Sequence, residues 1–264
     1  MKIRYSYWKD GKKKALTMSY DDGQIADLRL LDVFNQNGIR GTFHLNADNI
    51  GRENRVTAED IRTKYVGHEI SAHGLTHPFL ERIPQEEVVY EITEDRKRLE
   101  AICGYPVRGM SYPYGTYSDE VLRTLPGLGI RYARTVRSTG GFNLPENFLL
   151  WNPTCKHTDP ALFNYLERFK GLKYGLSLFY IWGHSFEFNN DNNWDVIERF
   201  CAEAGGDGNV WYATNIEIYD YLTALRSLHF SVDRTMVLNP SATDVWVGVD
   251  DAVIRIPAGQ LVKF

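Results

Sequence analysis

Cysteine is scarce in this chain: Cys103, Cys155 and Cys201 are the only three among 264 residues. Their number is odd and none shows C-x-x-C or metal-ligand spacing, so neither a disulfide framework nor a cysteine metal site is implied. An excess of either charge is also lacking. The formal net charge is −4, and Lys12-Lys13-Lys14, the one basic run, reads as the solvated start of a strand. Nucleic acid is therefore not an expected partner. No apolar run approaches the about 18 residues of a membrane helix, and Met1 to Lys14 is polar, with no apolar leader core. These absences lead us to expect a cytoplasmic protein without a membrane partner, its oligomeric state left open. No G-x-G-x-x-G follows the first strand, which counts against a dinucleotide-binding fold.

What is present is alternation. Hydrophobic residues make up 43% of the chain, enough for a substantial core. Strand-like stretches at 15–21, 41–46, 66–72, 108–112, 130–136, 176–182 and 210–213 are each followed by a helical pattern. Thr57-Ala58-Glu59-Asp60 and Thr214-Asn215-Ile216-Glu217 are capping boxes. Pro84 opens a long helix that Gly104 closes, Ser118 caps another, and Asp159-Pro160 reads as a cap and first turn. Seven such units predict a parallel α/β fold. Residues 230–264 change character: Val245, Val247 and Val249, then Val253 and Ile254 around Asp250-Asp251, read as a hairpin. The expected division is a barrel over 1–229 and a small β appendage over 230–264. The stretch Arg137 to Thr158 is long for a connection, with a short strand expected near Phe148 to Trp151. Its aromatics Phe142, Phe148 and Trp151 are either a wall narrowing a substrate groove or packing on the barrel.

The chemistry-bearing residues follow the strands. Asp21 and Asp22 end the first strand, and two adjacent carboxylates at a buried strand end suggest one neutralised by a metal and one serving as a base. The alternative is a plain Asp-Asp-Gly turn. His73 and His77, four apart, follow the third strand. Arg108 starts the fourth strand, Pro113 and Tyr114 end it, and His184 follows the sixth. In α/β barrels the C-terminal strand ends share one rim, so these residues should converge. Two imidazoles and one carboxylate with open positions make a hydrolytic Zn²⁺ site. His44, His68 and His229 read as structural, His44 near the barrel floor. His157 is a candidate to touch substrate, the alternative being a solvated loop histidine.

Here the residues carry a resemblance. Thr17-Met18-Ser19-Tyr20-Asp21-Asp22-Gly23 resembles the T-F-D-D-G motif of polysaccharide deacetylases, the NodB-homology enzymes of carbohydrate esterase family 4. Gly67-His68-Glu69-Ile70-Ser71-Ala72-His73-Gly74-Leu75-Thr76-His77 is similar to their G-H-E-I-x-x-H-x-x-x-H. Arg108 to Gly115 resembles R-x-P-Y-G with extra residues, and Ile181 to His184 resembles L-x-x-H.

The resemblance implies a distorted (β/α)7 barrel and a divalent metal, most often Zn²⁺, with Co²⁺, Ni²⁺ or Mn²⁺ as alternatives, on Asp22, His73 and His77. It further implies Asp21 as base, Arg108 holding Asp21 ionised, the Tyr114 N–H in an oxyanion hole, and His184 as acid. Pro113 belongs to the substrate side of the same motif. An acetylated carbohydrate is the implied substrate. The D-x-x-D-W motif is missing, and Trp151 and Asp159 are the candidates to replace its Trp and Asp. Two rivals stand beside acetyl removal: a cyclic imide or ureide amidohydrolase of the same fold, and a catalytically inactive carbohydrate-binding protein.

Overall fold

A computed structural model describes residues 2–264. After the two-residue strand β1 (Ile3–Arg4), the alternating units build one curled parallel sheet. Its strands are β2 (Lys14–Asp21), β3 (Gly41–Leu45), β4 (Glu69–Ala72), β5 (Gly109–Ser111), β6 (Tyr132–Arg134), β7 (Cys155–Lys156) and β8 (Ser177–Gly183), with β9 (Val210–Tyr212) beside the lower half of β2. The order β6-β5-β4-β3-β2-β8-β7 makes β2 central, and every residue of β2 is buried. Its Leu16, Met18 and Tyr20 face the surrounding helices, and period-2 alternation turns Thr17, Ser19 and Asp21 into the barrel. The barrel interior is consequently polar and layered: Thr17 donates to Asn215 at 2.8 Å, Ser19 meets His44 Nε2 at 3.0 Å, and Asp21 meets Arg134.

The helices follow the expected signals: α1 (Asp27–Gln36), α2 (Ala58–Lys64), α3 (Gln85–Cys103), α4 (Asp119–Thr124), α5 (Leu162–Lys170), α6 (Glu187–Asn190), α7 (Trp194–Ala204) and α8 (Asn215–Arg226). Thr57 and Thr214 form complete capping boxes, and Gly104 ends α3 at φ +79°, a conformation that favours glycine. Asp159-Pro160 does not open α5, which begins at Leu162; the Asp159 carboxylate instead accepts from the Ala161 N–H at 2.8 Å. No helix among the described residues is long and apolar enough to cross a membrane.

The strand expected near Phe148 is a 3₁₀ turn, Phe148–Leu150. Trp151 alone bridges to Arg134, donating its N–H to Ala133 and accepting from Thr135, both at 3.0 Å, and so ties β6 towards β7 across the barrel seam. The architecture is the distorted (β/α)7 barrel, a sheet curled without full closure.

The C-terminal strands β10 (His229–Phe230), β11 (Met236–Leu238), β12 (Val245–Val249), β13 (Ala252–Ile256) and β14 (Leu261–Lys263) form two small antiparallel sheets. One of them recruits β1 from the other end of the chain, Ile3 opposite Val249. A core of Trp8, Tyr180, Trp211, Tyr221, Val245 and Val247 joins this appendage to α8 and the barrel floor.

Candidate active site

The convergence takes place at the C-terminal ends of β2, β4, β5, β6 and β8. Asp21 is the last residue of β2, and the chain then turns sharply, with Asp22 at φ +80° and Gly23 at φ +61°. Asp22 is pinned from both sides, its N–H donating to His44 O at 2.9 Å and its carbonyl accepting from Arg55 at 2.6 Å. A positive φ in a non-glycine residue is a strained conformation held by its surroundings.

His73 leaves β4 with its N–H donating to buried Asp95 at 3.0 Å, while Asn46 donates to the His73 and Gly74 carbonyls at 2.7 Å. Glu91 accepts from Thr76 N–H and Oγ1 at 2.9 and 2.7 Å, anchoring the loop to α3. His77 itself sits at φ +62°. One donor atom each from Asp22, His73 and His77 lies within 4.8 Å of the others.

The donor set fits a divalent cation. His73 Nδ1 lies 2.9 Å from the Ser111 carbonyl, which only accepts, so Nδ1 carries the proton and Nε2 keeps its lone pair. That Nε2 faces His77 Nε2 at 3.1 Å and Asp22 Oδ1 at 3.7 Å, two imidazoles and a carboxylate aimed at one point. Burial and the neighbouring His73 push His77 down to about 4, leaving it neutral near pH 7.

Asp21 lies beside this cluster, its Oδ2 3.9 Å from His73 Nε2 and 4.0 Å from His184 Nε2. Burial alone would raise its pKa; the Arg134 guanidinium first, then the surrounding histidines, outweigh that and hold the carboxyl well below its usual range. Arg108 does not reach Asp21. It lies below β5 and grips Asp220 of α8 with bonds of 2.9 and 2.7 Å. The cation on Asp21 is Arg134, fully buried at the end of β6. Ser111, two residues before Pro113, donates to Asp21 Oδ1 at 3.1 Å. Read without extra residues, the third motif puts Ser111 where the family pattern has arginine, and the guanidinium comes from the next strand instead.

His184 follows β8. Glu187 sits one turn further, Oε1 3.4 Å from His184 Nδ1 and Oε2 3.1 Å from His157 Nε2, and it accepts from Lys156 Nζ at 2.6 Å. Burial raises the Glu187 pKa, and these three partners outweigh it and keep the carboxylate ionised. His184 is raised in turn: burial opposes the shift, and Glu187 followed by Asp21 overcomes it. The carboxylate beside His184 Nδ1 is Glu187, and Asp159 caps the turn before α5 instead.

His157 is buried and stacked on Tyr20 at 5.6 Å, so it backs Glu187 rather than lining the cleft. A Cβ on Gly183 would fall 2.0 Å from the His157 ring, which explains the glycine there. Trp151 lies away from the site, buried against Tyr132, Phe148 and Tyr180. The tryptophan beside His184 is Trp182, 5.8 Å between rings, with the Arg134 guanidinium 4.5 Å over its face. Phe142 packs on Phe169 and Phe179, so the aromatics of the long segment pack on the barrel. His44 is fully buried within the barrel beneath Asp21, and His68 is structural. Pro113 is buried; Tyr114, at φ +58°, exposes half its ring beside His77 and stacks on Phe79 at 3.8 Å.

Fold and site together define a TIM-like barrel with an Asp-His-His donor cluster on its C-terminal rim. Residues 9–133 match the model of the polysaccharide deacetylase family. The chain is 32% identical over 113 residues to a chitin deacetylase of Pestalotiopsis sp, covering 42% of this chain and 38% of that protein. It is 41% identical over 66 residues to a chitooligosaccharide deacetylase of Azorhizobium caulinodans, covering 25% and 31%. The chain therefore spans well under half the length of these relatives. Among solved structures, a Mycobacterium smegmatis protein described as a polysaccharide deacetylase superposes with TM-score 0.61 at 17% identity, over 83% of this chain and 93% of the other. A carbohydrate esterase family 4 pseudoenzyme from Bacillus anthracis gives TM-score 0.51 at 15% identity, over 78% and 66%. These two likenesses concern the fold.

Proposed function

We propose that this chain is a metal-dependent hydrolase that removes acetyl groups from acetylated sugars, N-acetyl before O-acetyl. The observation that carries the reading is the apposition of two sets of groups on one rim: the donors Asp22, His73 and His77, and Asp21 with His184 beside them. The similarity to chitin and chitooligosaccharide deacetylases supports the same substrate class.

Asp22, His73 and His77 would hold a divalent ion, Zn²⁺ foremost. When bound, such an ion lowers the pKa of water and polarises an acyl carbonyl. Asp21, ionised by Arg134, takes the proton of the attacking water at Oδ2. The His184 Nε2–H gives a proton to the departing nitrogen as the C–N bond breaks, with Glu187 at its Nδ1 side holding the ring and favouring its protonated form. The products are acetate and a free amine. The Tyr114 N–H, in its left-handed turn beside His77, is the candidate donor to the carbonyl oxygen. Pro113 shapes the wall behind it.

Two measurements test this. Metal-loaded protein is incubated with N-acetyl and O-acetyl sugars and with cyclic imides, with acetate and ring opening assayed separately. Acetate from sugars is expected, and ring opening alone would replace the proposal with the imide reading. About one divalent ion per chain should be found by elemental analysis; full occupancy in the His73→Ala, His77→Ala double variant would refute the ligand assignment.

A further inference from the structure

At the opposite end of the barrel from Asp21, where α8 meets the appendage, lies a cavity of about 350 Å³ lined by Lys9, Trp211, Glu217, Asp220, Tyr221, Asp244 and Trp246 among others. Lys9 precedes β2, and Trp211 pairs in register with Ala15 at that strand's start. An eight-residue strand therefore separates this cavity from Asp21, roughly 20 Å at ~3.3 Å per residue. It is no part of the catalytic cleft.

Its lining has an unusual balance. Trp246 keeps part of its indole exposed and lies nearly parallel to Tyr221, ring centroids 6.5 Å apart at 19°. Tyr221 is itself locked, its hydroxyl donating to Tyr7 O at 2.8 Å and accepting from the Trp246 N–H at 3.1 Å. Around this aromatic floor stand three carboxylates, each already paired with an arginine: Asp220 with Arg108 at 2.7 Å, Glu217 with Arg40 at 2.6 Å, and Asp244 with Arg255 at 2.5 Å. A cationic ligand meets no uncompensated negative charge. An anionic one meets only Lys9. A neutral ligand with many hydroxyls can donate to the spare lone pairs of the three paired carboxylates and accept from Lys9. A ring with an apolar C–H face would also cover the exposed indole. The volume suits one or two pyranose rings.

We propose that this junction is a second, non-catalytic binding site for a neutral oligosaccharide, built jointly by the barrel floor and the appendage. Its occupant makes no use of the metal ligands or Asp21, so the site stands whether or not the chain removes acetyl groups. The test is calorimetric titration of the full chain with cellotetraose, a neutral β-1,4-linked sugar without acetyl groups. Acetate release from a one-sugar substrate is measured in parallel. Cellotetraose should bind at millimolar concentration or better. Trp246→Leu should weaken that binding about tenfold or more. Lys9→Ala, on an exposed turn, should weaken it less, and both variants should keep wild-type turnover of the small substrate. Absence of cellotetraose binding, or binding that neither variant alters, overturns the proposal. A deacetylation assay that fails while cellotetraose still binds through Trp246 leaves this site standing and counts only against the catalytic reading.

Discussion

Asp21 is subject to two opposing demands. It has to be deep enough for its charge to act strongly and still remain a carboxylate, and burial by itself favours the neutral acid. The buried Arg134 resolves the conflict, with Ser111 as a second donor. Removing one partner of a fully buried pair leaves an uncompensated charge, at a cost of about 3–5 kcal/mol. Arg134→Met should therefore lower both the melting temperature and kcat, whereas Arg108→Ala, which breaks only the half-exposed Asp220 pair, should leave kcat within about twofold. Equal losses in the two variants would put the assignment of Arg134 in error. Asp21→Asn keeps shape and ligands, so bound metal should persist by elemental analysis while turnover falls on the order of 10²-fold or more. Loss of metal in Asp21→Asn but not in Asp22→Asn would mean the two carboxylates exchange roles. Asp21, Asp22, His73, His77 and His184 are legible in the sequence because each sits in a short motif at a strand end. Arg134 is not, since its partnership crosses from β6 to β2 and no local spacing encodes it. Glu187 does have a signal, three residues past His184 at helical spacing.

The loop between β4 and α3 shows how elements position side chains. Asp95 and Glu91, one turn apart on α3, accept from the backbone of His73 and Thr76, so the helix stripe that fills the core also clamps the loop that carries His73 and His77. The sequence pattern reveals that helix by its apolar residues and both of its ends, but buried acids on its inner face look like ordinary helix-surface charge. His68, just before β4, has a comparable structural duty. Its Nδ1 accepts from the Gly41 N–H at 3.0 Å and its Nε2 meets Asn35 Oδ1 at 3.0 Å, an arrangement only the neutral ring satisfies. Burial first, then Arg40, depresses its pKa from 6.5 to about 4. The unfolded chain then takes up this proton first as pH falls. The stabilising contribution is whole above about 6.5, is lost progressively down to about 4, and changes no further below. The difference amounts to about 3 kcal/mol. Urea melts of wild type and His68→Asn at pH 7 and pH 4 should differ in pH dependence by an amount of this order. Parallel pH profiles for the two proteins would show that His68 is not held neutral.

For the whole molecule, the decisive feature is that the appendage is not hung on the barrel by a linker. The hairpin at 245–256 is legible from its valine alternation, and so is the change of character after 229. What no local pattern carries is the return of β1 to pair with β12, or the cluster in which Trp8, Trp211 and Tyr221 of the barrel pack against Val245 and Val247. Both bring N-terminal residues, Ile3 and Arg4 in one case and Trp8 in the other, against the C-terminal part of the chain. Aromatic rings bury roughly 150–250 Å² each, and at ~25 cal/mol per Å² exposing even a few of them costs an amount comparable to the whole stability of a domain, about 5–15 kcal/mol. Barrel floor and appendage should therefore unfold together. Scanning calorimetry of the full chain should show one transition whose calorimetric and van't Hoff enthalpies agree, and a chain ended after Ser227 should lose that cooperative melt. Two resolved transitions, with the barrel melting unchanged after truncation, would establish residues 230–264 as an independent domain and the shared aromatic core as a mere contact.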